Sequence, residues 1–186
     1  QSALRISPMV YSCTSPRHFS LLLAFLALTL ILTMYATMRY INDIIIHCTA
    51  NSIQDGKSKV HAADIVRYHT NDKGWKRCGY HYIIECDGTI VNSLPLSRPG
   101  IHCRGRNAHS IGIAYIGGLN WKGEESDTRT PFQKAALLKL ITQLIQLYRC
   151  DVHGHRDYAK KSCPCFDAHS EYHRIYKQFV LDIAHG

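Results

Sequence analysis

The sequence predicts a single α/β domain over residues 39–186, a central mixed β-sheet flanked by helices, preceded by an N-terminal extension, residues 1–38, that carries a hydrophobic segment. Three observations carry that prediction. Asp43–Cys48 (DIIIHC) and Ser110–Ile116 (SIGIAYI) are short isoleucine-rich runs, the pattern of strands buried on both faces. Asp87-Gly88 separates two β-rich runs, as in a hairpin. From Thr130 onward the chain reads as a capped amphipathic helix.

In chain order, Asp43–Cys48 is the first strand. His61–His69 follows as a helix, with Ala62, Ile65 and Val66 near one face. Tyr80–Ser93 is the hairpin, and its Asp-Gly pair predicts a two-residue turn. Ser110–Ile116 is the next strand, and Gly117–Thr128 a polar loop. Thr130 suits the N-cap, Pro131 the first helical position, and Gln133 completes a capping box. Leu137, Leu140, Ile141, Leu144 and Tyr148 then recur at helical spacing, so this helix covers one face of the sheet. A short strand at Asp151–His155 and a final helix, capped by Asp167 and running to about Leu181, complete the domain.

Ahead of it, Ser20–Met38 runs 19 residues without a charged side chain, enough for a helix to cross the hydrocarbon core. Arg5 and Arg17 precede the run, and no clean A-x-A cleavage site follows it, as in an anchor. Two readings stand: a membrane anchor that holds the domain toward a cell wall, or an extension upstream of a start at Met38.

The chain has 186 residues, 46% hydrophobic and 19% charged, which is a globular and not a disordered composition. Lys plus Arg number 22 against 14 Asp plus Glu, a formal charge of +8 that suits a polyanionic partner. Nucleic acid is the weaker choice, because the single basic run at 103–107 sits in no nucleic-acid-binding motif. HRD at 155–157 resembles a kinase catalytic loop, but no glycine-rich phosphate loop or D-F-G accompanies it. Twelve histidines and eight cysteines raise the expectation of a transition metal. A domain of this length needs no disulfide staples, so most cysteines are expected as buried free thiols. Cys78, Cys86, Cys103 and Cys150 could still pair in an extracytoplasmic domain.

His47 ends the first strand and His155 the last, and Cys163 follows in GHRDYAKKSCPCFD. Strand ends aim side chains rigidly into one cleft. Two imidazoles and one thiolate make a zinc set with one position left for water, as catalysis requires. The C-P-C at 163–165 is too tight for a zinc knuckle, which leaves Cys165 as a buried thiol and not a ligand. Cys48 is expected in the core, His153 in the wall of the cleft, and His81 and His109 in structural roles.

The segments IIIHCTA, GYHYIIECDGTI, HCRGRNAHSIGIAYIGG and GHRDYAKKSCPCFD, in that order, resemble the zinc-dependent N-acetylmuramoyl-L-alanine amidases of type 2. That group includes bacteriophage lysozyme-type amidases and shares its fold with peptidoglycan recognition proteins. The resemblance covers about residues 39–180 and implies hydrolysis of the amide between muramic acid and L-alanine, on a peptidoglycan partner and by a monomer. It makes His47, His155 and Cys163 the Zn²⁺ ligands, Lys161 and Tyr80 the catalytic pair, and His102 a wall of the substrate groove. Glu85 lies an odd number of positions from Tyr80 and is expected to face away, leaving the activated water itself as proton acceptor. The alternative is a non-catalytic recognition module, and Cys163 argues against it because that class usually lacks the cysteine.

Overall fold

The computed structural model describes residues 20–21, 23–29 and 39–185. Contacts group the chain into Gln1–Met38 and Arg39–Gly186. In the first unit, residues 20–21 and 23–29 are helical, with Leu21, Leu23 and Phe25 exposed. The remainder of the expected span, Leu22 and residues 30–38, lies outside the described residues. Among the described residues no helix is long and apolar enough to cross a membrane.

The second unit runs β1 (Asp43–Cys48), β2 (Asn51–Ser52), α1 (Ala62–Arg67), β3 (Tyr82–Ile84), β4 (Ile90–Asn92), β5 (Ser110–Tyr115), β6 (Gly118–Leu119), α2 (Pro131–Tyr148), β7 (Asp151–Gly154) and α3 (Ala168–His185). Five strands form one mixed sheet in the order β4-β3-β5-β1-β7. β1 is parallel to β5 and to β7, and β3 is parallel to β5, while β4 returns antiparallel to β3. β2 and β6 make a separate two-stranded ribbon.

Interior strand β1 is buried at every position because both faces are covered. Ile44, Ile46 and Cys48 join Ile111, Ile113 and Tyr115 under α2 and α3. α2 contributes Leu137, Leu140, Ile141 and Leu144 to that core, the stripe its periodicity predicts, and α3 contributes Ala168 and Tyr172. On the other face α1 places Ala62 and Ile65 over Ile83, Ile116 and Cys78. The capping box of α2 forms as expected: Gln133 N–H donates to Thr130 Oγ1 at 3.1 Å, and Thr130 N–H donates to Gln133 Oε1 at 3.0 Å. Asp167 caps α3 by accepting from Ser170 N–H at 2.9 Å.

Three elements differ from their sequence pattern. The 61–69 helix is shorter, ending at Arg67 and passing into a π-helical turn, Tyr68–Asp72. The hairpin does not use a two-residue turn. Gly88 N–H donates to Glu85 C=O and Glu85 N–H to Thr89 C=O, both at 2.9 Å, with Gly88 at φ 87°. That is a type I turn over Cys86-Asp87 closed by a left-handed glycine. Tertiary packing demands it, since a Cβ at Gly88 would stand 2.9 Å from the Phe132 carbonyl oxygen. Finally, β7 stops at Gly154, and His155 opens a 3₁₀ turn, His155–Asp157.

Arg129 ties the loop ahead of α2 to α3. Its side chain is 2% exposed. It donates to both oxygens of Asp127 at 2.8 Å and to Glu171 at 2.9 and 3.0 Å, and its Cζ lies 3.2 Å from the centroid of the Phe166 ring. Arg129→Ala strands two carboxylates and opens a void; because both acids are partly exposed, the expected loss is roughly 2–3 kcal/mol, below the range for fully buried pairs. Urea unfolding measures it, and a change under ~0.5 kcal/mol would mean that the cluster contributes nothing.

Candidate metal centre and cleft

The register of the sheet builds the site. β1 and β7 are parallel, with Ile46 opposite Gly154. One further step along each strand brings His47 and His155 side by side, and their ring centroids are 4.5 Å apart. The connection after His155 then doubles back. Arg156 N–H donates to the Cys163 carbonyl at 2.7 Å, and the buried Tyr115 hydroxyl donates to the Pro164 carbonyl at 2.7 Å. These two bonds hold Cys163 beside β1, where Cys48 N–H donates to its sulfur at 3.3 Å. One donor atom each from His47, His155 and Cys163 lies within 4.8 Å of the other two.

The hydrogen-bond network decides which nitrogen of His47 faces that centre. Ser110 Oγ donates to the Arg106 carbonyl at 2.9 Å, so toward His102 Nε2, 3.2 Å away, it accepts. His102 Nε2 therefore carries its proton and Nδ1 is bare. Burial, with the nearby His81, His155 and Arg39, pushes its pKa down to about 3, so the ring stays neutral. His47 Nε2, 3.0 Å from His102 Nδ1, must then donate. This leaves the lone pair of His47 Nδ1 pointing at Cys163 Sγ, 3.8 Å away.

A bare ring nitrogen and a sulfur thus meet at close range, an arrangement that a shared cation suits once the thiol has given up its proton. Tetrahedral bonds of ~2.0–2.3 Å separate ligand atoms by ~3.3–3.6 Å, close to the spacing found. The protonation states agree. Burial holds His47 well below its ordinary pKa, helped by His102, His155 and Lys161. His155 is lowered by burial and then by Lys161. Hydrogen bonding from Cys48 lowers the Cys163 thiol despite its burial. Neutral imidazoles and a thiolate are the forms that bind a divalent ion.

The three donors open onto a cleft of about 490 Å³, lined also by Trp75, Tyr80, Lys161 and Glu125. The Tyr80 ring lies 5.1 Å from that of His47 and 5.3 Å from that of buried His69, which in turn stacks on Trp75 at 4.6 Å. Burial and the Cys163 sulfur raise the Tyr80 phenol far above its usual value, so it remains a hydrogen-bond donor. Lys161 is exposed at the rim, near enough for its charge to act on His47, His155 and Cys163.

Every sequence-predicted site residue lines this cleft except His47, which lies beside it; His102 also reaches behind His47 to set its tautomer. Gly112 permits that reach, because a Cβ there would sit 2.6 Å from the His102 ring. Glu85 is absent from the cleft for a reason that strand alternation does not supply. Tyr80 precedes β3, so alternation does not relate the two. The Glu85 carboxylate instead caps α1, accepting from Ala62 N–H at 2.7 Å. Cys48 is in the core as expected, and Cys165 donates toward the Gly118 carbonyl at 3.4 Å, outside the three-donor set. His153 does not line the cleft but stacks on His169. His81 and His109 are structural: Gly112 N–H donates to His81 Nδ1 at 3.0 Å, and His109 Nδ1 donates to the Tyr40 carbonyl at 3.0 Å. The seven cysteines among the described residues are free. Glu125 and Trp75 were invisible in the sequence, since they arrive from loops with no motif of their own, and His69 sits in the π-helical turn that the sequence pattern does not signal.

A family model described as N-acetylmuramoyl-L-alanine amidase matches residues 37–166. The endolysin of Klebsiella phage KP32 is 34% identical over 127 residues, 68% of this chain and 82% of that protein. The solved structure of the endolysin N-acetylmuramoyl-L-alanine amidase LysCS from Clostridium intestinale superposes with a TM-score of 0.61 at 29% identity, covering 77% of this chain and 85% of that one. The structure of Apis mellifera PGRP-SA superposes with a TM-score of 0.59 at 26% identity, covering 72% of this chain and 82% of that one.

If His102 sets the tautomer of His47, removing its acceptor weakens metal binding without touching a ligand. His102→Ala is expected to lower Zn²⁺ affinity ~10–100-fold in chelator competition. Unchanged affinity in a folded variant would show that the relay has no hold on the site.

Proposed function

The chain belongs to the N-acetylmuramoyl-L-alanine amidase family, and from that membership we infer that it hydrolyses the amide joining N-acetylmuramic acid to the first L-alanine of the peptidoglycan stem. The convergence of His47, His155 and Cys163 on one point of an open cleft carries the mechanistic part of the reading. We assign these three as Zn²⁺ ligands. When bound, Zn²⁺ polarises the scissile carbonyl and lowers the pKa of its water toward ~7.

The remaining steps belong to the chain's own side chains. Burial biases His47 and His155 toward their neutral, donor forms, and the hydrogen bond from Cys48 biases Cys163 toward its thiolate. Lys161 brings a positive charge to the rim, where the carbonyl oxygen of the substrate gains negative charge during attack. Tyr80, kept protonated, donates a hydrogen bond toward that oxygen or toward the attacking water. The Trp75 ring offers an apolar wall to the glycan or peptide. A net charge of +8 favours approach to an anionic wall. All three ligands come from one chain, which supports action as a monomer. The uncharged run Ser20–Met38 supports attachment to a membrane with the domain facing the wall, and N-terminal sequencing of the native protein separates this from a start at Met38.

A recognition module without turnover is the second reading, and the Cys163 thiolate counts against it, since peptide binding requires no such ligand. Digestion of purified cell wall decides between them. The expected result is new amino termini on alanine, abolished in Cys163→Ser and reduced ~10²–10³-fold in kcat by Lys161→Ala. Wall binding without release, from folded and Zn²⁺-loaded protein, would leave only the recognition module.

A further inference from the structure

A second group of metal-binding side chains lies outside the cleft, where the first turns of α3 pass edge strand β7. His169 and His173 are four apart on α3, so they share a face. Their ring centroids are 4.6 Å apart. Both look onto Asp151 of β7. Its Oδ2 is 2.9 Å from His173 Nδ1 and 4.0 Å from His169 Nδ1. One donor atom from each of the three falls within 4.8 Å of the other two, and among the described residues only this group and the catalytic set meet that condition. The two sets share no residue. His153 extends the cluster by stacking on His169, with centroids 4.9 Å apart and planes 5° from parallel.

A plain helix-to-strand contact does not account for this arrangement. The bond from His173 to Asp151 alone would join the two elements. His169 already has a partner, the Val152 carbonyl at 2.9 Å, yet its ring is held over the same carboxylate. Two imidazoles from the helix and a carboxylate from the strand thus converge on one point, with a third imidazole stacked beside them. Side-chain exposures of 41% for each histidine and 21% for Asp151 leave a hydrated ion a route in.

We propose that Asp151, His169 and His173 form a second metal site, selective for a borderline divalent ion such as Zn²⁺, Ni²⁺ or Cu²⁺. Two imidazoles with one carboxylate suit those ions and not Mg²⁺ or Ca²⁺, which take oxygen ligands. Binding at Nδ1 shifts the ring proton of His173 and of His169 to Nε2, so that each imidazole stays neutral, frees the Asp151 carboxylate to face the ion, and draws His169 from the Val152 carbonyl. The bound ion ties the start of α3 to the strand that leads into His155.

The test uses the full chain, stripped of metal, and Zn²⁺ and Co²⁺ as probes. Equilibrium dialysis is expected to give two Zn²⁺ per wild-type chain. The His169→Ala/His173→Ala double variant is expected to retain one, and Cys163→Ser to retain the other. With Co²⁺, one equivalent carries thiolate-to-metal charge transfer and the other only ligand-field bands, and the double variant loses the latter. In wild type the second equivalent of Zn²⁺ also raises the melting temperature by ~5 °C, an increment absent from the double variant. If the double variant does not fold, His173→Gln takes its place. A wild type that binds one ion, with the thiolate band, overturns the proposal, as does a second equivalent that persists without His169 and His173. Should the thiolate band be missing while a His169/His173-dependent ion remains, the catalytic assignment fails and this site stands.

Discussion

The structure depends on one alignment: two parallel strands in a register that brings the residue after Gly154 of β7 beside His47 of β1. With Ile46 opposite Gly154, His47 and His155 become neighbours although 108 positions of sequence separate them by number. A slip of one residue would turn His47 toward the helices and carry Ile46 into the cleft. The isoleucines flanking His47 prevent that slip. Ile44 and Ile46 are wholly buried under α2 and α3, and Ile45 is wholly buried on the opposite face. Burial of hydrocarbon thus fixes the position of a polar ring, and the chemistry inherits its precision from the core.

Behind the first ligand lies a chain of polar groups with a single consistent proton arrangement. It runs from His47 through His102 and Ser110 to the Arg106 carbonyl. His47 and Ser110 are buried and His102 half-buried, so an unpaired proton or lone pair among them would be costly. That cost selects the tautomer of His47 before any ion arrives. Glycine makes the chain geometrically possible, since only a residue without a side chain at 112 lets the His102 ring lie against the sheet. The same glycine donates its N–H to His81, which in turn is held among carbonyls gathered by Arg39. Arg39 reaches the carbonyls of Leu96, Arg98, Asn107, Ala108 and Ser110, and so joins the segment ahead of β1 to the loops that deliver His102.

Much of this was legible in the sequence where the signal is local or periodic. β1, β5 and α2 follow from apolar runs and a capping box, and His47, His155 and Cys163 from strand ends and the chemistry of the donor set. The rest depends on contacts distant in sequence. The Asp-Gly pair promises a tight turn, but Phe132 of α2 leans on Gly88 and selects a wider one. Glu85 is kept from the cleft as expected, but by α1, which claims its carboxylate, and not by strand alternation. Arg39 belongs to no motif, and its five carbonyl partners lie 57 or more positions away. No spacing rule links His47 to His102, so the relay could emerge only from the fold.

Electrostatics explain why the cleft pairs a buried donor set with an exposed lysine. Two neutral imidazoles and one thiolate around a divalent ion leave a formal charge of +1. Three neutral imidazoles would leave +2, so the cysteine weakens the pull on a developing oxyanion while it strengthens the hold on the ion. Lys161 restores positive charge at the rim, where it can meet substrate without the desolvation that a buried ammonium would suffer. Its charge also disfavours protonation of His47 and His155, which keeps both lone pairs free. On the proposed mechanism one side chain serves the ground state and the transition state, and its exposure is what permits both. A surface meant only to grip peptide would gain from the lysine but not from a thiolate held inside the fold, and that asymmetry favours catalysis as the use of this cleft.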